Sequence, residues 1–141
     1  MSTPATPVSD DTIDHELIAA AEDVVHRFAR GDNHTVAAAA RNGDGRIVTA
    51  LNAYHFTGGP CAETALIGAA AGQGAYDLRT IVAVGDQSRG VIPPCGRCRQ
   101  VLLDYFPDIR VIVAAGGAVH TVPVHDLLPH AYVWPEQQDE A

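Results

Sequence analysis

The chain has 141 residues, which suffices for one domain with a sizeable core but not for two. Hydrophobic residues make up 47%, which argues against disorder, and no apolar run approaches the ~20 residues that span a bilayer. Nine Lys and Arg against 17 Asp and Glu give a net charge of −8, a balance that repels phosphate backbones and excludes nucleic acid as the expected partner.

Residues 1–10 are rich in Ser, Thr and Pro and are expected to form a flexible N-terminus. They lack a basic start followed by an apolar stretch, so a cytoplasmic location is expected. A single domain is expected over 11–134, followed by an acidic tail over 135–141. Ile13, Leu17, Ile18, Ala21, Val24, Val25 and Phe28 recur at helical spacing and predict an amphipathic helix closed by a glycine cap near Arg30-Gly31. Runs 35–40 and 47–52 flank Asn42-Gly43-Asp44-Gly45, a strong hairpin signal. The first run is alanine-rich and a poor strand former, so this expectation rests on the turn. Gly58-Gly59-Pro60 breaks the chain and opens a helix over 61–71, with Pro60 in its first turn and Leu66, Ile67 and Ala70 facing inward. Residues 80–85 and 109–115 predict buried strands, and Pro93-Pro94 precedes a helix over 95–105 that Pro107 stops. Strands alternating with helices predict an α/β sheet covered by helices.

Three cysteines are an odd number, and thiols in a cytoplasmic chain stay reduced, so they point to metal binding or catalysis rather than a disulfide. Cys95 and Cys98 stand three apart at a helix start and share a face, so both can grip one ion. Cys61, at the start of the other helix, can supply a third thiolate if the two helices lie side by side. Each helix directs its positive end at that spot and favours thiolate over thiol. Three protein ligands leave one tetrahedral corner for water, the arrangement of a catalytic zinc. Glu63, two residues after Cys61, can reach such a water and move its proton without joining the ligands. Zn²⁺, one per chain, follows from the soft thiolate set, with iron as the alternative. Alone, each piece is weak: Cys61 reads as a small core residue, and Cys95-x-x-Cys98 as a redox pair or half a structural zinc site. Together, with Pro94 before Cys95 and Glu63 after Cys61, they match the zinc deaminase signature in its three-cysteine form.

Three longer segments carry a resemblance. They are Asn52 to Glu63, Arg89-Gly-Val-Ile-Pro-Pro-Cys95-Gly-Arg-Cys98-Arg-Gln-Val-Leu-Leu-Asp104, and Leu127-Leu-Pro-His-Ala-Tyr132-Val-Trp134. Over roughly residues 12 to 134 the chain resembles the cytidine deaminase family, in its blasticidin S deaminase branch. The resemblance implies a three-layer α/β/α sandwich around a mixed, about five-stranded sheet, and a homotetramer with active sites near the subunit contacts. It implies a zinc-dependent hydrolase that attacks C4 of a free cytosine nucleoside and releases ammonia and the uracil form. Glu63 would carry the proton from water to ring N3 and then help expel ammonia. Thr35 and Asn52 would contact the ligand, Arg89 would sit over the sugar, Phe56 would wall the base, and Tyr132 would close the pocket.

Ordinary members place Glu two residues after the ribose-binding Asn, whereas Asn52 is followed by Ala53 and Tyr54. A tyrosine offers no carboxylate to a ribose hydroxyl, so Tyr54 turns the expected substrate from cytidine toward blasticidin S. That antibiotic carries a carboxylate, which Arg89 could pair, and a cationic tail that an acidic protein tolerates. Many relatives have Arg after the Glu, donating to the thiolates; Thr64 stands there, leaving Arg97 and Arg99 as the candidate donors. His15, His26, His34, His120, His125 and His130 match no metal spacing and are expected at the surface or at element ends, while His55 is expected in a supporting hydrogen bond. The rival functions are ordinary pyrimidine salvage, a thiol–disulfide oxidoreductase, and a binding protein with structural zinc, which lacks a spare cysteine as fourth ligand.

Overall fold

The computed structural model describes residues 12–134, so the expected flexible start and acidic tail lie outside the described residues. In chain order the elements are α1 (His15–Phe28), β1 (Val36–Asn42), β2 (Ile47–Leu51), α2 (Ala62–Ala71), β3 (Leu78–Gly85), β4 (Gly90–Ile92), α3 (Gly96–Tyr105), β5 (Arg110–Ala115) and β6 (Ala118–Pro123), then a 3-10 turn over Val124–Leu127. Among the described residues no helix is long and apolar enough to cross a membrane.

Five strands run in the order β2-β1-β3-β5-β6, and the short β4 pairs with β3 as a sixth. β3 and β5 are parallel and the other pairings antiparallel, so the sheet is mixed. β4 continues the edge that β5 leaves: β5 pairs with Thr80–Val82 and β4 with Ala83–Gly85. β4 and β6 are additions to the strands expected from sequence. The first is three residues long, and the second, with His120, Thr121 and a closing Pro123, is too polar for an apolar-run signal.

Side chains alternate between two cores, as a period of two requires. Ala38, Ala40, Ile81, Val111 and Val113 pack with Leu66, Ile67, Leu102 and Leu103 of α2 and α3. Ala37, Ala39, Val82, Val84 and Ile112 pack with Leu17, Ala21 and Val25 of α1. Helices thus cover both faces, giving the three layers expected. β1 explains its alanines: Ala37 to Ala40 are fully buried, and small side chains let helices approach the sheet from either side. Tertiary packing overrides alanine's weak strand preference there.

Three local expectations change. α1 begins after Asp14, whose carboxylate accepts from the Leu17 amide 3.0 Å away, so Ile13 precedes the helix. The helix ends at Ala29 in an extended conformation, and no glycine caps it; Gly31, at φ +58, serves the next turn, which the Arg30–His34 bridge closes. Pro60 lies before the N-cap of α2 rather than in its first turn, and its carbonyl accepts from the Ala53 amide. The hairpin forms as expected: Asn42, only 4% exposed, turns its side-chain oxygen to the amides of Asp44 and Arg46.

Candidate active site

Two chain breaks deliver the cysteines. Cys61 is the N-cap of α2 and Cys95 the N-cap of α3, both in extended conformation, and neither side chain caps its own helix. Their sulfurs are therefore free, and they lie 3.8 Å apart. Cys98, in the first turn of α3, is fully buried, and all three sulfurs lie within 4.8 Å of one another. Tetrahedral zinc with Zn–S near 2.3 Å needs sulfurs about 3.8 Å apart, so the cluster fits one such ion. Among the described residues these three form the one His, Cys, Asp and Glu cluster able to hold a metal, and no fourth residue of those types joins it.

Glu63, only 6% exposed, lies in the first turn of α2, and Oε1 is 3.7 Å from the Cys98 sulfur. Burial pushes its carboxyl above the ordinary range, more than the surrounding hydrogen bonds pull it down. Burial likewise raises the Cys61 thiol, and burial together with the Glu63 carboxylate raises that of Cys98 far above normal. Cys95 differs: burial opposes its ionisation, but the Cys98 amide and the neighbouring thiols outweigh it, so this thiol is lowered. Four acidic groups gathered under low dielectric suit a divalent cation, which would ionise the thiols outright.

A cleft of about 170 Å³ opens beside these groups. Asn52, Glu63, Cys61 and Cys95 give it a polar side, and Val36, Ile92 and Pro93 an apolar one. Val36, Ile92 and Pro93 were not among the site residues expected from sequence. Pro93, one residue before Pro94-Cys95, carried a usable signal; the other two look like ordinary strand residues. A larger open groove of about 790 Å³ lies between the end of α1 and the 84–90 turn, but no cysteine lines it. The smaller cleft is the one beside chemistry.

The expected substrate contacts divide. Asn52 lines the cleft, and its side-chain oxygen accepts from the amides of Thr35 (2.7 Å) and Val36 (3.0 Å). Thr35 lies one layer behind, its carbonyl accepting from Arg89 Nη2 at 2.9 Å. Arg89 also bonds Asp86, donating through Nη2 to the carboxylate and through Nε to the carbonyl. Tyr54, Phe56 and Tyr132 do not line the cleft within one chain: they are 62%, 83% and 71% exposed. Phe56 stacks on His55, whose Nδ1 pairs with Thr57.

The side chains of the candidate thiolate donors do not reach the sulfurs. Arg99 donates to the carbonyls of Pro94 and Leu127, fastening the start of α3 to the 3-10 turn. Arg97 is exposed, and it is its backbone amide, not its guanidinium, that bonds the Cys95 thiol. Thr64 donates to the Cys61 carbonyl. His34, expected at the surface or an element end, is half-buried and pairs through Nδ1 with the Asn52 carbonyl at 2.8 Å. Its histidine lay outside any ligand spacing, which hid that role.

The family described as "Cytidine and deoxycytidylate deaminase zinc-binding region" matches residues 11–115. A protein named blasticidin-S deaminase from Bacillus cereus is 34% identical over 128 residues, covering 84% of this chain and 91% of that protein. A cytidine deaminase from Mycobacterium tuberculosis is 38% identical over 99 residues, 69% of this chain and 71% of that protein. The crystal structure of cytidine deaminase from Burkholderia pseudomallei superposes with a TM-score of 0.71 at 31% identity, covering 85% of this chain and 99% of that one.

Proposed function

The chain belongs to the cytidine and deoxycytidylate deaminase family of zinc-binding enzymes, and from that premise we propose that it deaminates the cytosine ring of blasticidin S. The observation that carries the chemistry is the buried Glu63 carboxyl beside three convergent sulfurs at the wall of a small cleft. At about 170 Å³ the cleft is below the ~300–1,000 Å³ of sites that enclose drug-sized ligands, which suits a single planar ring with its sugar outside.

Cys61, Cys95 and Cys98 would hold zinc, which supplies the Lewis acidity that makes water a nucleophile near neutral pH. Glu63 is the proton carrier. A carboxyl raised by burial takes and returns a proton near neutrality more readily than an ordinary one. It accepts the proton of the attacking water, delivers it to ring N3, and then assists the amino group on C4 to leave as ammonia. The apolar wall of Val36, Ile92 and Pro93 stacks the ring and limits bulk water. Asn52 offers its side-chain NH₂ to the ligand, because its oxygen is committed to Thr35 and Val36.

Blasticidin S is favoured over cytidine by Tyr54, which cannot replace a ribose-binding carboxylate, and by Arg89, whose Nη1 donors have no partner among the described residues and suit a substrate carboxylate. The relative named for that activity covers most of the chain. Ordinary cytidine or deoxycytidine deamination is the second reading, favoured by the relatives named cytidine deaminase. The exposed Tyr54, Phe56, Tyr132 and Trp134 support a homotetramer in which such residues meet a neighbour. Ammonia release from blasticidin S, cytidine and deoxycytidine side by side tests the substrate. At least tenfold higher kcat/KM on blasticidin S is expected, and equal efficiency on cytidine overturns it. Solution mass by light scattering tests the tetramer.

A further inference from the structure

Between the 84–90 turn and the cleft runs a single chain of hydrogen bonds. The Asp86 carboxylate holds Arg89 Nη2 at 2.9 Å, and the same nitrogen donates to the Thr35 carbonyl at 2.9 Å. The Asp86 amide donates to that carbonyl too, so the Thr35 peptide is gripped from two directions. On its other side the Thr35 amide donates to Asn52 Oδ1, which the Val36 amide also reaches. Two amide donors on one oxygen fix which end of the Asn52 amide is oxygen, and so fix where its NH₂ lies. One N–H of that group extends toward Thr35 Oγ1 at 3.4 Å, leaving the other for a ligand in the cleft.

The perch of Arg89 is shaped for it. A Cβ on Gly85 would stand 2.7 Å from Arg89 Nε and 2.8 Å from Cζ, so the guanidinium occupies the space that a side chain there would take. Gly85 pairs with Val36 across the β1–β3 ladder, placing the guanidinium beside the peptide that Asn52 reads.

We propose that Asp86 and Arg89 are positioning residues: by clamping the Thr35 carbonyl they hold the Asn52 amide in the orientation that meets the substrate. The inference rests on the reading that Asn52 contacts substrate, and adds that this contact is set from the end of β3, across the start of β1 from Asn52. It gives Arg89 work on any nucleoside, whereas pairing with a carboxylate would matter for blasticidin S alone.

The test uses the zinc-loaded full chain. Asp86→Ala removes the carboxylate but leaves Arg89; Gly85→Ala displaces the guanidinium, the flexible end of a long side chain, without removing it. Asn52→Asp keeps the oxygen that accepts from Thr35 and Val36 and replaces the NH₂ with a charged oxygen that cannot donate. Each of the first two variants is expected to raise KM about fivefold to tenfold with kcat within about twofold, the pattern of lost substrate binding. In the Asn52→Asp background the Asp86→Ala effect should vanish, since both act through one group. Independent of turnover, the ¹⁵N side-chain amide signal of Asn52, assigned by its loss in Asn52→Asp, should shift or broaden in Asp86→Ala and Gly85→Ala. An unchanged signal in both, or additive losses in the double variant, overturns the clamp. If Asn52→Asp itself leaves KM unaltered while the signal does move, the clamp stands and the substrate role of Asn52 falls.

Discussion

The Cys98 sulfur and Glu63 Oε1 lie 3.7 Å apart, although the residues are 35 positions apart and start different helices. This contact joins the three-sulfur cluster to the carboxyl proposed to carry the proton. It arises because α2 and α3 rest on the same face of the sheet with their first turns adjacent.

Glu63→Gln is the sharpest separation of the two halves. Gln fills the same volume and leaves the three sulfurs in place, so zinc content and melting temperature should hold near wild type. Turnover should fall by about 10²–10⁴, the usual contribution of a positioned general acid–base. Ammonia release and zinc per chain measure both arms, and an active Glu63→Gln would remove the proton carrier from the mechanism.

Metal removal should cost stability as well as activity. The thiols gather inside the fold, with Cys98 fully buried, so binding free energy adds to folding free energy. Chelation is expected to lower the melting temperature and abolish ammonia release, and zinc should restore both. Cys98→Ser should reproduce the chelated state and resist that rescue.

Asp14 supplies a pH-dependent fastening of α1. Its side chain caps the helix and bonds Arg41 Nε at 2.7 Å, and the Arg41 hydrogen bond holds its carboxyl below the ordinary value of 3.8. A depressed carboxyl contributes stability fully above its unfolded-state value and loses it as pH falls through the lowered one. Asp14→Asn, which keeps a capping oxygen, should cost about 0.5–1 kcal/mol at pH 7. Asp14→Ala should cost about 1 kcal/mol more. In thermal unfolding both gaps should narrow below pH 4 and persist at pH 6–8.

Gly59 holds the approach to Cys61. A Cβ there would fall 1.8 Å from the Ala53 carbonyl oxygen, a backbone atom that cannot step aside cheaply. The same loop is tied by the Ala53 amide to the Pro60 carbonyl, so Gly59→Ala must shift the entry to α2. A loss of about 1–3 kcal/mol is expected, as for overpacking, with reduced zinc affinity. Gly68→Ala, in the same helix with open space at its Cβ, serves as the control and should be neutral or stabilising.

The metal-binding set and its carboxylate were legible because their chemistry is written in local spacing. Cys95 and Cys98 share a helix face by periodicity, and a proline or glycine break announces each helix start. Hydrophobic period and turn residues likewise gave α1, the hairpin and the two central strands, since each is encoded within a dozen residues. The alanines of β1 read poorly because their fitness lies in what packs against them from both faces.

Only the folded chain decided the rest. That Cys61 comes within 3.8 Å of Cys95 depends on two helices crossing one sheet face, a long-range outcome that no local pattern states. The polar side chains behind the cleft were decided in the same way. Arg99 turned to backbone carbonyls instead of sulfur, and His34 and Arg89 became props for Asn52 and Thr35. Residue type fixes what a side chain can donate or accept, whereas its partner depends on which strands and helix ends pack beside it.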